Sequence, residues 1–236
     1  MDLSFDVSAF SGHVPLFPLG GVVLLPGGLL PLHVFEPRYR EMMKHALEGE
    51  RLIAMALLRP GFEADYEGAP EIEEHVCVGR ILLEEPLPDG RWNVLLVGLR
   101  RARVLDEDRS RPFRLARVEV LEDLPLAPHH EEREAGALAD LLKGLPGELV
   151  RDESRRELVL HLLREGPDDA SEGIGLGTLL DLAADLLHLG VQDRQRLLAT
   201  SDVVERGAAL RALVAARVEE LAAVKRRGWP PEFSKN

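Results

Sequence analysis

The hydrophobic pattern of this chain changes once, near residue 124, and that change limits the fold more than any other feature. Before it, short apolar runs alternate with Pro and Gly. After it, proline thins out within the apolar segments and a 3.6-residue period takes over. A chain of 236 residues patterned this way reads as a strand-rich unit followed by a helical one, residues 1–124 and 125–236.

In the first unit, Val14–Phe17, Val22–Leu25 and Leu29–Phe35 are apolar runs punctuated by Pro18, Gly20-Gly21, Pro26 and Gly27-Gly28. That punctuation fits strands and tight turns. Pro15 and Pro31 inside the runs mark edge positions or bulges. Glu36 then opens a helix, with Pro37 at the first helical position, where a missing N–H costs little. Tyr39, Met42, Met43, Ala46 and Leu47 follow as one apolar stripe, and Gly49 is a stop. Leu52–Leu58 has strand length. Pro60–Glu74 holds six acids (Glu63, Asp65, Glu67, Glu71, Glu73, Glu74) and no base, the mark of a solvated loop. Val76–Leu83 and Trp92–Val97 flank the turn Pro88-Asp89-Gly90, and Ala102–Leu105 and Phe113–Leu121 follow. The count is roughly seven to eight strands around one helix, in sequential hairpins that close into a barrel or sandwich.

In the second unit the period predicts helices over Glu131–Lys143, Glu153–Arg164, Thr178–Leu187, Asp193–Ala199 and Val203–Arg227. Asp202 and Glu205 can act as a capping pair. Leu210, Val214, Val218, Leu221 and Val224 give the last helix one apolar face. Lys225, Arg226 and Arg227 suit its C-terminal dipole, and Gly228 with Pro230 ends it.

Charge narrows the partners. The net charge is -12, with 29 basic residues, and both units are acidic. Nucleic acid is disfavoured, because such binding draws on cations that neutralise phosphates. The dense arginine cluster is Arg100-Arg101-Arg103, on a predicted strand that turns alternate side chains to opposite faces. No run is apolar enough to span a membrane. The acidic start carries no export signal, so a cytoplasmic protein is expected. One cysteine, Cys77, excludes an internal disulfide framework.

The candidates for chemistry each have a simpler reading. His75 and Cys77 could form a nucleophilic pair, but Cys77 reads as a small buried strand residue. His129-His130-Glu131-Glu132 lacks the i, i+4 histidine spacing of a helical metal site and reads as a solvated helix start. Gly173–Thr178 lacks a Walker lysine and a leading strand, so it reads as an interhelical loop. Asp168-Asp169 and the acidic loop lack the order of a calcium loop. No G-x-S-x-G elbow is present. His33 reads as a hydrogen-bonded, partly buried residue. The sequence therefore assigns no catalytic, cofactor-binding or metal-binding residue, leaves the substrate-binding residues unassigned, and predicts no cofactor.

Two distant segments carry a resemblance. Val14–Met43, VPLFPLGGVVLLPGGLLPLHVFEPRYREMM, resembles the start of the Lon protease substrate-binding domain, and its Phe35–Arg40 form is typical of stand-alone bacterial members. Val78–Ile81, the Pro88–Gly90 turn and Val97–Val104 follow in the family's order. Leu179–Val214 resembles the family's helical part, with Gly207 where the family usually has Leu, a departure expected to weaken packing at one position. The resemblance implies an α+β fold: a PUA-like β pseudo-barrel with one inserted helix, followed by a C-terminal helical bundle. Pro18, Pro31, Phe35, Glu36, Arg38 and Gly98 match its motifs and read first as fold determinants. It also implies a non-catalytic protein- or peptide-recognition module, without ATPase or protease domains, in which an accessible apolar groove between barrel and bundle takes exposed hydrophobic segments of unfolded clients. A protease or another regulatory protein is a second class of partner. The alternatives are a PUA-like RNA-binding protein and an enzyme with no local motif. The sequence does not fix the oligomeric state.

Overall fold

The computed structural model describes residues 5–66, 68–165 and 174–226. Glu67, Asp168, Asp169, Gly173, Arg227, Gly228 and Pro230 lie outside them. The described chain divides into two compact units, residues 1–124 with 190–201, and residues 125–189 with 202–236.

The first unit contains six strands: β1 (His13–Leu19), β2 (Leu29–Val34), β3 (Leu52–Leu57), β4 (His75–Pro86), β5 (Trp92–Asp108) and β6 (Leu115–Val120). Their order is β2-β5-β4-β3-β1-β6, and β5 also pairs with β6. That last pairing closes β5, β4, β3, β1 and β6 into a ring, with β2 attached to the first half of β5. The ring encloses small side chains. Ala54, Ala56, Ala102 and Ala116 are fully buried beside Val14, Leu16, Val76 and Val78, the size needed where few strands leave a narrow interior.

Helix α1 (Pro37–Glu48) crosses between β2 and β3 and buries Tyr39, Met42, Met43 and Ala46 of the expected stripe, with Leu47 half-buried at its end. Because of this crossover, β1 and β3 run parallel, Leu16 opposite Ala54. Sequential hairpins therefore describe only part of the barrel.

Three strand expectations change. Val22–Leu25 is not a strand, although Val23, Leu24 and Leu25 are buried. Its Val23 carbonyl is satisfied by a side chain, Arg194, whose Nε and Nη2 donate at 3.2 and 3.0 Å. Trp92–Val97 and Ala102–Leu105 are parts of one strand. Gly98 does not break it; the extra residue is absorbed as a bulge against β4 between Val78 and Gly79. Phe113 precedes β6 rather than opening it.

The fourth predicted helix also changes allegiance. Helix α5 (Val191–Ala199) belongs to the barrel unit. Besides the Arg194 bonds, its Gln195 donates to the His75 carbonyl at 2.8 Å and its Leu198 carbonyl accepts from Arg101 Nε at 3.3 Å. A helical period shows that a segment is a helix and leaves open what it packs against.

The second unit contains α2 (Pro128–Gly144), α3 (Glu153–Glu165), α4 (Leu176–Asp185) and α6 (Val203–Arg226). Asp202 Oδ1 caps α6, accepting from the N–H groups of Val204 and Glu205 at 2.8 and 3.0 Å. The apolar face of α6 is buried at Val203, Leu210 and Val214 only. Val218 and Leu221 are half-buried and Val224 is exposed, so the stripe outruns its cover.

Gly207 on α6 is buried for a specific reason. A Cβ there would sit 3.2 Å from both Arg211 Nη1 and Glu134 Oε2, and those two atoms pair at 2.7 Å. Glu134 is 4% exposed, so its charge needs that partner. The expected packing loss at Gly207 is thus replaced by an ion pair occupying the space that a Leu side chain would fill.

Candidate functional site

The cleft of the barrel unit begins with the helix-opening motif. Glu36 is the N-cap of α1 and accepts from Arg38 Nε at 2.9 Å and from the Tyr66 hydroxyl at 2.7 Å. Arg38 Nη1 donates to the Tyr66 carbonyl at 3.2 Å. The Arg38 guanidinium also lies over two rings, 4.7 Å from the centre of Tyr39 and 5.0 Å from that of Tyr66. These contacts tie the acidic loop to the helix. The loop is further seated by Phe62, whose ring covers Gly20 where a Cβ would overlap it, and by Arg59, which pairs with Glu71 at 3.2 Å. A segment read as a solvated loop is therefore partly structured, with a 3-10 turn at Phe62–Asp65.

The opposite wall is the turn between β5 and β6. Arg114 is 9% exposed. Its Nε and Nη2 grip Glu107 in a two-pronged pair at 2.6 and 2.7 Å, and its Nη1 donates to the Pro70 carbonyl at 2.8 Å. Burial pushes the Glu107 carboxyl up, but the Arg114 guanidinium outweighs it and holds that carboxyl below the usual range. Burial raises the Tyr39 phenol to about 12, so it stays neutral.

Between these walls lies an open cleft of ≈ 120 Å³, room for about one side chain. Pro18, Leu58, Tyr39, Pro70, Pro112 and Phe113 give it apolar surface. Arg38, Arg109, Arg111 and Arg114 give it four guanidiniums, and no carboxylate lines it among the described residues.

Of the residues that the motif matches single out, Pro18 and Arg38 line this cleft and Glu36 braces it. Phe35 is 59% exposed. Pro31 lies on β2 opposite Leu95, and Gly98 sits where the Leu25 backbone approaches. The run Arg109–Arg114 was not singled out by the sequence reading. Its signal was there, three arginines in six residues around Pro112 and Phe113. The cluster that was singled out behaves differently. Arg101 is buried and paired with Asp123, and Arg103 pairs with Glu119 at 2.6 Å.

The remaining candidates do not assemble. Cys77 is fully buried in β4. His129 and His130 begin α2, their ring centres 4.2 Å apart. Gly175 is the N-cap of α4. His33 is exposed rather than partly buried, because β2 attaches outside the ring. It bonds Asn93 at 2.8 Å and Arg91 at 3.1 Å. Among the described residues no group of three or more His, Cys, Asp or Glu could hold a metal ion. Among them, too, no helix is long and apolar enough to cross a membrane.

This architecture is that of Lon N-terminal domains. It matches the N-terminal domain of Mycobacterium avium complex Lon protease with a TM-score of 0.62 at 18% identity, covering 86% of this chain and 98% of that one. It matches a Lon N-terminal domain protein from Xanthomonas campestris with a TM-score of 0.56 at 26% identity, covering 93% and 99%. The chain belongs to the ATP-dependent protease La (LON) substrate-binding domain family, which matches residues 13–216. Relatives include the Lon protease of Anaeromyxobacter dehalogenans, 28% identical over 82% of this chain and 22% of that protein. The Lon protease of Cytophaga hutchinsonii is 26% identical over 87% and 24%. The chain spans under a quarter of the length of these two relatives.

Proposed function

We propose that this chain is a recognition module for polypeptide segments, unfolded or exposed stretches of client proteins, and performs no catalysis itself. The observation that carries this reading is the barrel cleft. It is open and partly apolar, its donors are guanidiniums, and its described lining holds no Ser, Thr or Cys and no carboxylate. Such a surface can hold a side chain and its flanking backbone. Family membership supports the same reading. A protease or another regulatory protein remains the second class of partner, and a cytoplasmic location, testable by fractionation, belongs to the same reading.

RNA fits this cleft less well. A base needs an open aromatic face, yet Tyr39 and Phe113 are 4% and 6% exposed, and Arg38 already covers Tyr39 and Tyr66. The net charge of -12 adds long-range repulsion.

The test is fluorescence anisotropy with labelled peptides drawn from unfolded proteins, on the parent chain and on Ala69→Trp, which fills the cleft. The variant should keep its circular dichroism spectrum and bind at least about tenfold more weakly. Equal binding by both would place recognition elsewhere, and a tight, salt-sensitive shift of structured RNA would reverse the ranking.

A further inference from the structure

We infer that the cleft selects peptide segments carrying an acidic side chain, Asp or Glu. This rests on the peptide-binding reading above and adds the chemistry of the ligand.

The argument is one of charge and unfilled donors. In a chain of net charge -12, the cleft gathers Arg38, Arg109, Arg111 and Arg114 with no acid in its described lining. The neighbouring carboxylates sit behind them: Glu36 on Arg38, Glu107 on Arg114 and Arg109, and Asp108 near Arg111. Among the described contacts the four guanidiniums meet three carboxylates, and the next acids along the loop, Glu71 and Glu73, are held by Arg59, so the lining favours an anionic side chain.

Two of these arginines, Arg38 and Arg109, keep donors to spare. Glu36 and the Tyr66 carbonyl engage Arg38 through Nε and Nη1, and its Nη2 has no acceptor among the described residues. Arg109 is more than half exposed and meets Glu107 only through Nε, at 3.4 Å. Arg38 and Arg114 are held in place by their partners. A carboxylate entering the cleft therefore meets oriented donors, and charge-assisted bonds to guanidinium are among the strongest available. The space of ≈ 120 Å³ admits one side chain, and the exposed Pro112 and half-buried Pro70 suit the methylenes of that side chain.

The experiment compares acetylated, amidated peptides identical except for one central Glu or Gln, by anisotropy at low and moderate salt. The Glu peptide should bind about tenfold more tightly, and added salt should shrink the gap. Arg109→Gln and Arg111→Gln, both exposed positions, should weaken the Glu peptide severalfold and the Gln peptide less, so that the gap between the two peptides narrows. Equal binding of the Glu and Gln peptides overturns this inference while the peptide-binding reading stands. Binding of neither peptide, nor of any longer unfolded segment, overturns both. Tighter binding of a phosphoserine peptide, of a peptide whose sole carboxylate is its C-terminus, or of RNA overturns the assignment of the side-chain carboxylate.

Discussion

Replacing Gly98 with Ala should be among the most damaging single-methyl additions in the barrel. A Cβ at this position would stand 2.1 Å from the Leu25 carbonyl oxygen, 2.9 Å from its carbon and 3.1 Å from Cys77 Sγ. Ordinary contact lies above 3 Å, so backbone must move by about 1 Å. The segment that would have to move is pinned. Gly27 N–H donates to the Gly98 carbonyl at 2.8 Å, Gly98 N–H donates to the Gly28 carbonyl at 2.9 Å, and Gly28 N–H donates to the Leu25 carbonyl at 2.9 Å. Losing two of these bonds costs about 1 kcal/mol each, and overpacking adds roughly 1–3 kcal/mol. The expected loss is about 3–5 kcal/mol. For a chain of this size that lowers Tm by roughly 6–20 °C. Urea unfolding followed by circular dichroism measures it. Cys77, the chain's single cysteine and fully buried, supplies a local readout, because its labelling by a thiol reagent should accelerate. Gly136→Ala is the control. It lies within α2 and a Cβ there meets nothing within 4 Å, so it should stabilise by about 0.5–1 kcal/mol. A Gly98→Ala protein within about 1 kcal/mol of the parent, with Cys77 still protected, would refute the reasoning.

Three further outcomes follow from named contacts. Glu107 has a folded pKa below its unfolded value of about 4.3. Its contribution is therefore complete above that pH and is lost as pH falls through the folded value. Glu107→Gln should lower stability at pH 7 by about 1–3 kcal/mol and flatten the acid limb of urea midpoint against pH; an unchanged acid limb would contradict the pairing. Gly207→Leu should cost roughly 1–3 kcal/mol through collision with the Glu134–Arg211 pair. Adding Glu134→Ala should then cost less than the sum of the single changes, which a double-mutant cycle measures. Arg194→Ala removes both donors to the Val23 carbonyl and should cost about 1–3 kcal/mol, with faster amide exchange around Leu25–Gly28.

The legible parts of this protein were local. The α1 stripe, the Pro88–Gly90 turn and the helical period after residue 124 depend on neighbours within a few positions, and all three appear in the structure. The errors came where a partner lies far along the chain. Val22–Leu25 has strand composition, yet its carbonyl is met by Arg194, 171 residues away. Trp92–Val97 and Ala102–Leu105 read as two strands, yet they form one, with Gly98 inside it where the Leu25 backbone approaches. The cleft was half legible. Glu36 and Arg38 stood out within a motif, whereas the Arg109–Arg114 run, which forms the other wall, carries no periodic signal.

The sequence by itself determined the order of elements, the strand-to-helix change, the acidic balance and the absence of every familiar local catalytic motif. These are properties of composition and short-range spacing. Tertiary structure alone decided the parallel pairing of β1 with β3, the membership of α5 in the barrel unit, and the gathering of four arginines at one cleft in an acidic chain. Each brings together backbone or charge from positions far apart in the chain that no spacing rule connects.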